Sequence, residues 1–324
     1  MATLTRVNIT GGTRKMSGRR PSGRSSFSEF MQRVIARKMQ LGKAGTAQNY
    51  RSTLNSFMRF VACGNVRFSG LTPALIEEYE AWLMSSRVKT NSISFYMRNL
   101  RAAYNHAVEL GLTVDRSPFK KAYTKIEKTA KRAITISDIR RIKNLDLAGR
   151  PSLELARDIF MFLFYCRGMS FIDAAYLSTS DIVGNQLVYR RRKTGQELHI
   201  GLNSYIHRLL DKWNPEGQSD GFLLPILHIP GSARDASLRA QYESALRRTN
   251  KALKLIARMA HIPGTLTTYV SRHSWASIAK TKGIPTSTIS DALGHDSELT
   301  TQIYLATLST DAIDRANNLI LDEL

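Results

Sequence analysis

The segment Leu266–Leu308 reads LTTYVSRHSWASIAKTKGIPTSTISDALGHDSELTTQIYLATL and carries the densest set of structural signals in the chain. Gly283 separates two segments of helical pattern, which is typical of a helix-turn-helix, and we expect Ile284 to be buried beside the turn. Further on, His295 precedes Tyr304 by nine positions with small polar residues between them. The segment therefore predicts packed helices that bring one histidine and one tyrosine into the same functional site.

The composition of the chain indicates a nucleic-acid partner. The chain has 324 residues, of which 43% are apolar, and a net charge of +21. A surface this basic repels itself unless it binds a polyanion. A membrane surface fits less well, because the basic residues are spread along the whole chain without an apolar amphipathic anchor. No stretch resembles a membrane span or a secretory signal, so we predict a cytoplasmic protein.

The two cysteines, Cys63 and Cys166, lie far apart in the sequence and form no CxxC pair. Neither a disulfide framework nor a zinc site is therefore indicated. We expect both to be reduced thiols in packed helices.

The first part of the chain predicts a basic arm followed by a helical domain. Residues 1–25 carry six basic residues and no acidic residue among glycines and serines, which is typical of a disordered arm. Four segments with apolar residues at helical spacing follow, and they predict an all-α domain over residues 26–119. Helix N-caps are expected at Ser28, Thr46 and Thr72, and a C-terminal stop at Gly111.

A basic linker over residues 120–133 leads to a second domain, residues 134–324. In that domain SLELARDIFMFLFYCRGMSFIDAAYLSTSDI reads as two helices, and NQLVYRRRKTGQELHIGL alternates around Lys-Thr-Gly as a hairpin does. Helical patterns resume from Ser204 onward. The expected fold is mainly α, with a small antiparallel β-sheet in an α+β second domain.

Three residues of the opening segment carry a resemblance to a known family. Arg272, the Leu-Gly-His box that ends at His295, and Tyr304 nine residues later resemble the catalytic core of the tyrosine recombinases, the phage integrase family. The hairpin RRRKTGQELHI is similar to the turn that bears the family's lysine, here Lys193. GFLLPIL is also similar to a segment that the family places between the hairpin and the arginine.

The resemblance extends to GMSFIDAAYLSTSDI, which is similar to the family's first box, with Asp173, Leu177 and Asp181 in register. The helical first domain is similar to the family's core-binding, SAM-like DNA-binding domain. The resemblance implies a site-specific recombinase that cuts and rejoins double-stranded DNA through a 3′-phosphotyrosine. It implies integration or excision of a mobile element or DNA inversion, and neither metal nor cofactor.

The chemistry of cutting a phosphodiester without a metal explains these residue types. The reaction needs a nucleophile, positive donors for the charge that develops on the phosphate oxygens, and an acid for the departing 5′ oxygen. Tyr304, Arg272 and Lys193 could supply these three functions. His295 would donate to the phosphate or orient the nucleophile.

Two positions depart from the family pattern. Ser170 stands where the family has its first arginine, and Tyr269 stands where it has a histidine three residues before Arg272. A missing guanidinium should cost roughly 3 to 4 kcal/mol of transition-state stabilisation, so another residue should replace it. We favour Arg191 over Arg167, because Arg191 lies two residues before the hairpin lysine and would share its strand face. Tyr269 retains a hydroxyl donor.

Other functions remain open from the sequence. The helix-turn-helix pattern alone would suit a DNA-binding protein without chemistry, and type IB topoisomerases share the tyrosine chemistry. A metal-dependent nuclease is less favoured, because no carboxylate or histidine cluster has ligand spacing. Recombination needs several copies, and we expect a tetramer. After Tyr304, a C-terminal helix with one apolar face could dock into a neighbouring protomer or pack on its own domain; that face comprises Ile313, Ala316, Leu319 and Ile320.

Overall fold

The computed structural model describes residues 26–62, 65–127, 133–214, 221–229, 231 and 237–305, with the backbone alone for 303–305. Internal contacts divide the chain into two units, Met1–Thr129 and Ala130–Leu324. The predicted basic arm and the predicted C-terminal apolar face lie outside the described residues.

The first unit is helical, as the sequence predicts. Its helices are α1 (Phe27–Gln40), α2 (Ala44–Val61), α3 (Pro73–Ser85) and α4 (Thr90–Glu109). Each helix contributes fully buried side chains to one core, in which the rings of Phe57 and Tyr79 meet edge to face at 5.1 Å. The Tyr79 hydroxyl donates to Ser56 Oγ at 2.8 Å, so the core satisfies its polar atom. Gly111 follows α4 with a φ of +67°, as a C-terminal stop requires.

The helix starts were predicted only in part. Thr72 caps α3 as expected, but Thr46 lies inside α2. Ser26, rather than Ser28, caps α1. Ser28 instead lies inside that helix and accepts a hydrogen bond from the backbone N–H of Val66 at 3.2 Å. A tertiary contact has taken the hydroxyl that the local pattern assigned to a cap.

Residues 120–127, the first part of the predicted linker, contact the first unit. The side chain of Asn91 exchanges two hydrogen bonds with the backbone of Glu127, at 2.8 and 3.0 Å. Residues 128–132 lie outside the described residues. The domain limits that the sequence indicates stay a prediction.

The second unit is mainly helical with one small sheet. Its helices are α5 (Ile136–Lys143), α6 (Pro151–Tyr165), α7 (Phe171–Ala175), α8 (Ser204–Trp213), α9 (Leu238–Met259), α10 (Thr268–Thr281), α11 (Thr286–Leu293) and α12 (Glu298–Leu305). Its strands are β1 (Ile182–Val183), β2 (Gln186–Arg190) and β3 (Glu197–Gly201), antiparallel in the order β1-β2-β3. The predicted hairpin and fold class are confirmed.

Helix α6 is the centre of the second unit. It is apolar on nearly every side because it packs against α8, α9 and α10 together. Phe160 faces one hydrophobic cluster and Phe162 the other, and both are fully buried. Burial alternates along β2, with Leu187 and Tyr189 inside, so the sheet covers the same core with one face.

Helices α10 and α11 form the predicted helix-turn-helix. Gly283 stands between them with a φ of +79°. Ile284 is 38% exposed, so its predicted burial was wrong. Ile289 and Leu293, one helical turn apart on α11, pack against Ala276 of α10 and fill the space instead.

Cys166 is buried at the end of α6, and burial raises the pKa of its thiol. Cys63 lies outside the described residues. Within the described ranges, no helix is both long and apolar enough to cross a bilayer.

Candidate active site

Arg272 is the most firmly held charged side chain of the second unit. Helix α10 carries it into the interior, where it is 3% exposed. Its Nη1 donates to the carbonyl of Gly168 at 2.8 Å, and its Nη2 donates to the carbonyl of Leu293 at 2.5 Å. The same Nη2 lies 3.1 Å from His295 Nε2. Two backbone carbonyls and one imidazole therefore fix the plane of this guanidinium.

Arg191 joins Arg272 at the turn after α11. It is 6% exposed, and its Nη1 donates to the carbonyl of Gly294. Its Nε lies 3.9 Å from Asp173 Oδ2 and has no hydrogen-bond partner among the described residues. Burial first, and then the positive charge of Arg191, lower the pKa of Arg272 to about 10. The Arg272 guanidinium therefore stays charged at neutral pH, and it lies close enough to Arg191 for the two positive groups to repel each other.

The reason given for Arg191 from the sequence was wrong, although the residue does come to Arg272. Strand β2 ends at Arg190, so Arg191 and Lys193 do not share a strand face. Arg191 turns inward while Lys193 is exposed on the hairpin turn. The charge of Lys193 is nevertheless one of those that, after burial, lower the pKa of His295, so its ammonium lies near enough to act on the imidazole.

Ser170 does not take the part of an arginine. It caps α7, since its Oγ accepts from Asp173 N at 3.3 Å and donates to Asp173 Oδ2 at 2.6 Å. The other carboxylate oxygen of Asp173 accepts from the backbone N–H of Arg192 at 2.9 Å. Asp173 thus fastens the hairpin to α7, and Arg191 extends from that hairpin.

His295 is neutral in this environment. Burial first, and then the charges of Arg272, Arg191 and Lys193, lower its pKa to about 4. Its Nδ1 lies 2.7 Å from Thr301 Oγ1, a fully buried hydroxyl on α12. The imidazole therefore connects the arginine pair to the last described helix.

The low pKa of His295 makes the stability of the protein depend on pH. Between pH 6.5, the pKa of a free imidazole, and about 4, the unfolded chain holds a proton that the folded chain lacks. Lowering the pH through this window should therefore destabilise the wild type relative to His295→Gln, by about 1 kcal/mol once solvent screening of the partly exposed ring is allowed for. Thermal unfolding of both proteins at several pH values measures the difference. Parallel curves would contradict the assignment.

Tyr269 lies at the edge of the same pocket. It is 47% exposed, and its ring meets His273 edge to face at 4.8 Å. Partial burial raises the pKa of its hydroxyl, and the charges of Arg272 and Arg191 oppose that rise. The hydroxyl therefore interacts electrostatically with both guanidinium groups.

Two other residues predicted from the sequence, Arg167 and Tyr304, are not shown in contact with this pocket. Arg167 follows α6 in a left-handed conformation, with a φ of +58°, and is not among the charges that lower the pKa of Arg272. Tyr304 belongs to α12, three residues after Thr301, and its side chain lies outside the described residues.

Two glycines that sequence reasoning did not assign to the site make room for the arginines. A Cβ atom on Gly168 would lie 2.8 Å from Arg272 Cα, and one on Gly294 would lie 2.6 Å from Arg191 Cδ. Both residues have positive φ angles, +73° and +61°. Gly168 opens the segment that resembles the family's first box, and Gly294 lies in the Leu-Gly-His box. These positions could have pointed to the two glycines, but their contacts with the arginines are tertiary and cannot be read from the sequence.

Gly168→Ala should destabilise the second unit. The left-handed backbone costs about 1–2 kcal/mol for a residue with a Cβ, and overlap with the α10 backbone adds about 1–3 kcal/mol. Gly283→Ala is the matched control, because its φ is +79° and a Cβ there meets no described atom within 4 Å. Urea unfolding should show the larger loss for Gly168→Ala, and equal losses would contradict the close contact.

Two family models match the chain, the phage integrase SAM-like domain over residues 26–127 and the phage integrase family over residues 122–310. The chain belongs to the phage integrase family.

Solved structures show the same fold. A lambda integrase dimer bound to a COC′ core site matches with a TM-score of 0.64 and 18% identity, over 87% of this chain and 95% of that one. A lambda integrase tetramer bound to a Holliday junction has a TM-score of 0.62 and 17% identity, over 86% and 77%. The Tn1549 transposon integrase in complex with transposon right end DNA matches with a TM-score of 0.62 and 13% identity, over 92% of this chain and 100% of that one. No curated protein sequence matches the chain.

Proposed function

We propose that this protein is a site-specific recombinase that cuts and rejoins duplex DNA through a 3′-phosphotyrosine at Tyr304, in the integration or excision of a mobile element or in DNA inversion. The observation that carries the proposal is the pair of buried guanidinium groups, Arg272 and Arg191, at one turn beside a neutral histidine. Family membership supplies the reaction class.

The arginine pair is suited to a phosphate. Burial first, and then the charge of Arg191, lower the pKa of Arg272, and an anion between the two guanidinium groups would offset both effects. The Nε of Arg191 is buried and lies 3.9 Å from Asp173 Oδ2, so this carboxylate keeps the guanidinium oriented at the turn. In this proposal Arg191 replaces the missing first arginine, and Ser170 serves as a helix cap.

The remaining residues complete one balanced step. The phenol of Tyr304 loses its proton as its oxygen bonds to phosphorus, and the bond from phosphorus to the 5′ oxygen breaks. The neutral His295 is suited to receive the phenol proton, and Lys193 to give one to the 5′ oxygen. Tyr269 adds a hydroxyl donor at the pocket edge. Rejoining reverses the step without an external energy source, since the phosphotyrosine retains the bond energy.

The partner is double-stranded DNA, for which the net charge of +21 provides attraction along the whole chain. The first unit would bind DNA as the core-binding domain, and the cytoplasm would be the site of action. Lambda integrase is described as a dimer and as a tetramer on DNA. By analogy we propose a tetramer on synapsed DNA, linked by exchange of the C-terminal helix.

The direct test uses a labelled duplex that contains the element's own attachment site, with a nick beside the cleavage position. Incubation with the wild-type protein should give a covalent protein–DNA adduct that survives denaturing electrophoresis. A shift of the DNA in native gels without any adduct would favour the DNA-binding protein without chemistry. Relaxation of supercoiled DNA without exchange of strands would favour the topoisomerase.

A further inference from the structure

The hydrogen bond between His295 and α12 comes from Thr301, a residue that is not part of the family pattern. We propose that Thr301 is a positioning residue: its hydroxyl holds the proton of the neutral His295 ring on Nδ1, keeps Nε2 as the proton acceptor of the pocket, and fastens the helix of Tyr304 to that ring. The inference rests on the proposed function for its consequence in catalysis, and on geometry alone for the position of the proton.

The guanidinium of Arg272 shows which nitrogen of His295 carries no proton. A guanidinium only donates hydrogen bonds. The two hydrogens of Nη2 are directed to Leu293 O at 2.5 Å and to His295 Nε2 at 3.1 Å. The Nε2 atom must therefore present its lone pair to the arginine, which makes it an acceptor.

Since a neutral imidazole carries one proton, that proton resides on Nδ1. Nδ1 faces Thr301 Oγ1 at 2.7 Å, a good distance for a hydrogen bond. The side chain of Thr301 is 0% exposed, so water cannot readily replace the hydroxyl as the acceptor. Removing the hydroxyl would leave a buried N–H without its partner, which is costly.

The same hydrogen bond acts on the helix of the nucleophile. Thr301 and Tyr304 are three residues apart on α12, so a rotation of this helix moves both residues together. His295 precedes the helix and is itself held by Arg272. The hydroxyl therefore sets the rotation of α12 relative to the arginine pair, which is the direction in which a tyrosine would be misplaced.

The charged groups that face His295 explain why its tautomer matters. Arg272 faces it from α10, and Arg191 and Lys193 face it from the hairpin; all three are positive and disfavour the imidazolium. A bound phosphate would offset these charges and let Nε2 take a proton. With the proton on Nε2 from the start, the ring could neither accept from Arg272 nor receive the proton of a phenol.

Nitrogen NMR of protein labelled in its histidine rings tests the tautomer without any reaction. At pH 7 the His295 signals, identified by their loss in His295→Gln, should show a protonated Nδ1 and a bare Nε2. Thr301→Val, which has nearly the same shape without the hydroxyl, should give a mixture of tautomers, and Thr301→Ser should restore the wild-type pattern. A protonated Nε2 in the neutral wild type would overturn the proposal.

Cleavage of the nicked duplex tests the consequence for the reaction. We expect Thr301→Val to form the adduct at least about tenfold more slowly, or 1.4 kcal/mol, and Thr301→Ser within about threefold of the wild type. The acid limb of the pH–rate profile should move to lower pH in Thr301→Val, because the imidazolium loses a hydrogen-bond acceptor. A merely structural role would lower the rate equally at every pH. Thr300→Val, the same change on the exposed neighbour, is the control.

The two sets of measurements separate the two ideas. A wild type that forms the adduct through Tyr304, together with a Thr301→Val variant unchanged in tautomer and rate, would refute the role of Thr301 and leave the proposed function standing. A wild type that forms no such adduct but has the proton on Nδ1 would refute the proposed function and the catalytic consequence, while the assigned position of the proton would stand.

Discussion

Tyr304→Phe is expected to abolish the covalent adduct with the nicked duplex, below about one part in a thousand of the wild-type rate. Phenylalanine differs from tyrosine only by the hydroxyl oxygen, which is the atom that would bond to phosphorus. Without that oxygen no other step can give a phosphotyrosine. Denaturing electrophoresis of the labelled strand measures the adduct, and a native gel should show DNA binding unchanged within about twofold.

Tyr269→Phe provides the comparison, because the charges of Arg272 and Arg191 act on the Tyr269 hydroxyl at the edge of the pocket. That variant should still form the adduct, more slowly, since it loses a donor and not the nucleophile. An adduct that persists in Tyr304→Phe and disappears in Tyr269→Phe would reverse the two roles.

Arg191→Ala is expected to slow cleavage by about 100-fold or more, the usual effect of losing one donor to a developing oxyanion. The expected loss is large because the second guanidinium of the pocket comes from this residue and Ser170 cannot replace it. Single-turnover rates on the nicked duplex measure the change, with circular dichroism to confirm the fold. A loss smaller than about tenfold would contradict the replacement of the missing arginine.

Two neighbouring arginines serve as controls for Arg191. Arg190→Ala removes an exposed charge paired with Glu197, and Arg167→Ala removes the rival candidate. Both should stay within about threefold of the wild type. Ser170→Arg added to Arg191→Ala should recover part of the lost rate, at the cost of the α7 cap, which is worth about 1 kcal/mol.

The sequence predicts the helices well because their burial is periodic and local. The four helices of the first unit follow from apolar spacing alone, and the hairpin follows from alternation around Lys-Thr-Gly. The errors arise where a side chain has a distant partner. Ser28 was expected as a cap but binds Val66, and Ile284 was expected inside but Ile289 fills that place. A local sequence pattern cannot show which of two residues will make a contact with a distant part of the chain.

The site was predictable as a set of residues and less so as an arrangement. Arg272 and His295 come from the resemblance to the family pattern, and the structure brings them to 3.1 Å. Arg191 reaches the pocket through the end of β2, not through a shared strand face. The close packing of Gly168 on Arg272 links positions 104 residues apart, and spacing within a motif cannot express such a contact.

The acceptors that hold both guanidinium groups have an evolutionary consequence. Leu293 and Gly294 receive the arginines through carbonyl oxygens, which every amino acid possesses. The turn can therefore hold a guanidinium that arrives from a helix or from the hairpin, and the only side-chain requirement that the described residues show there is a glycine at position 294 to leave room for Arg191. In the proposed enzyme, an arginine on the hairpin could then take over from one on a helix while the backbone acceptors stay the same.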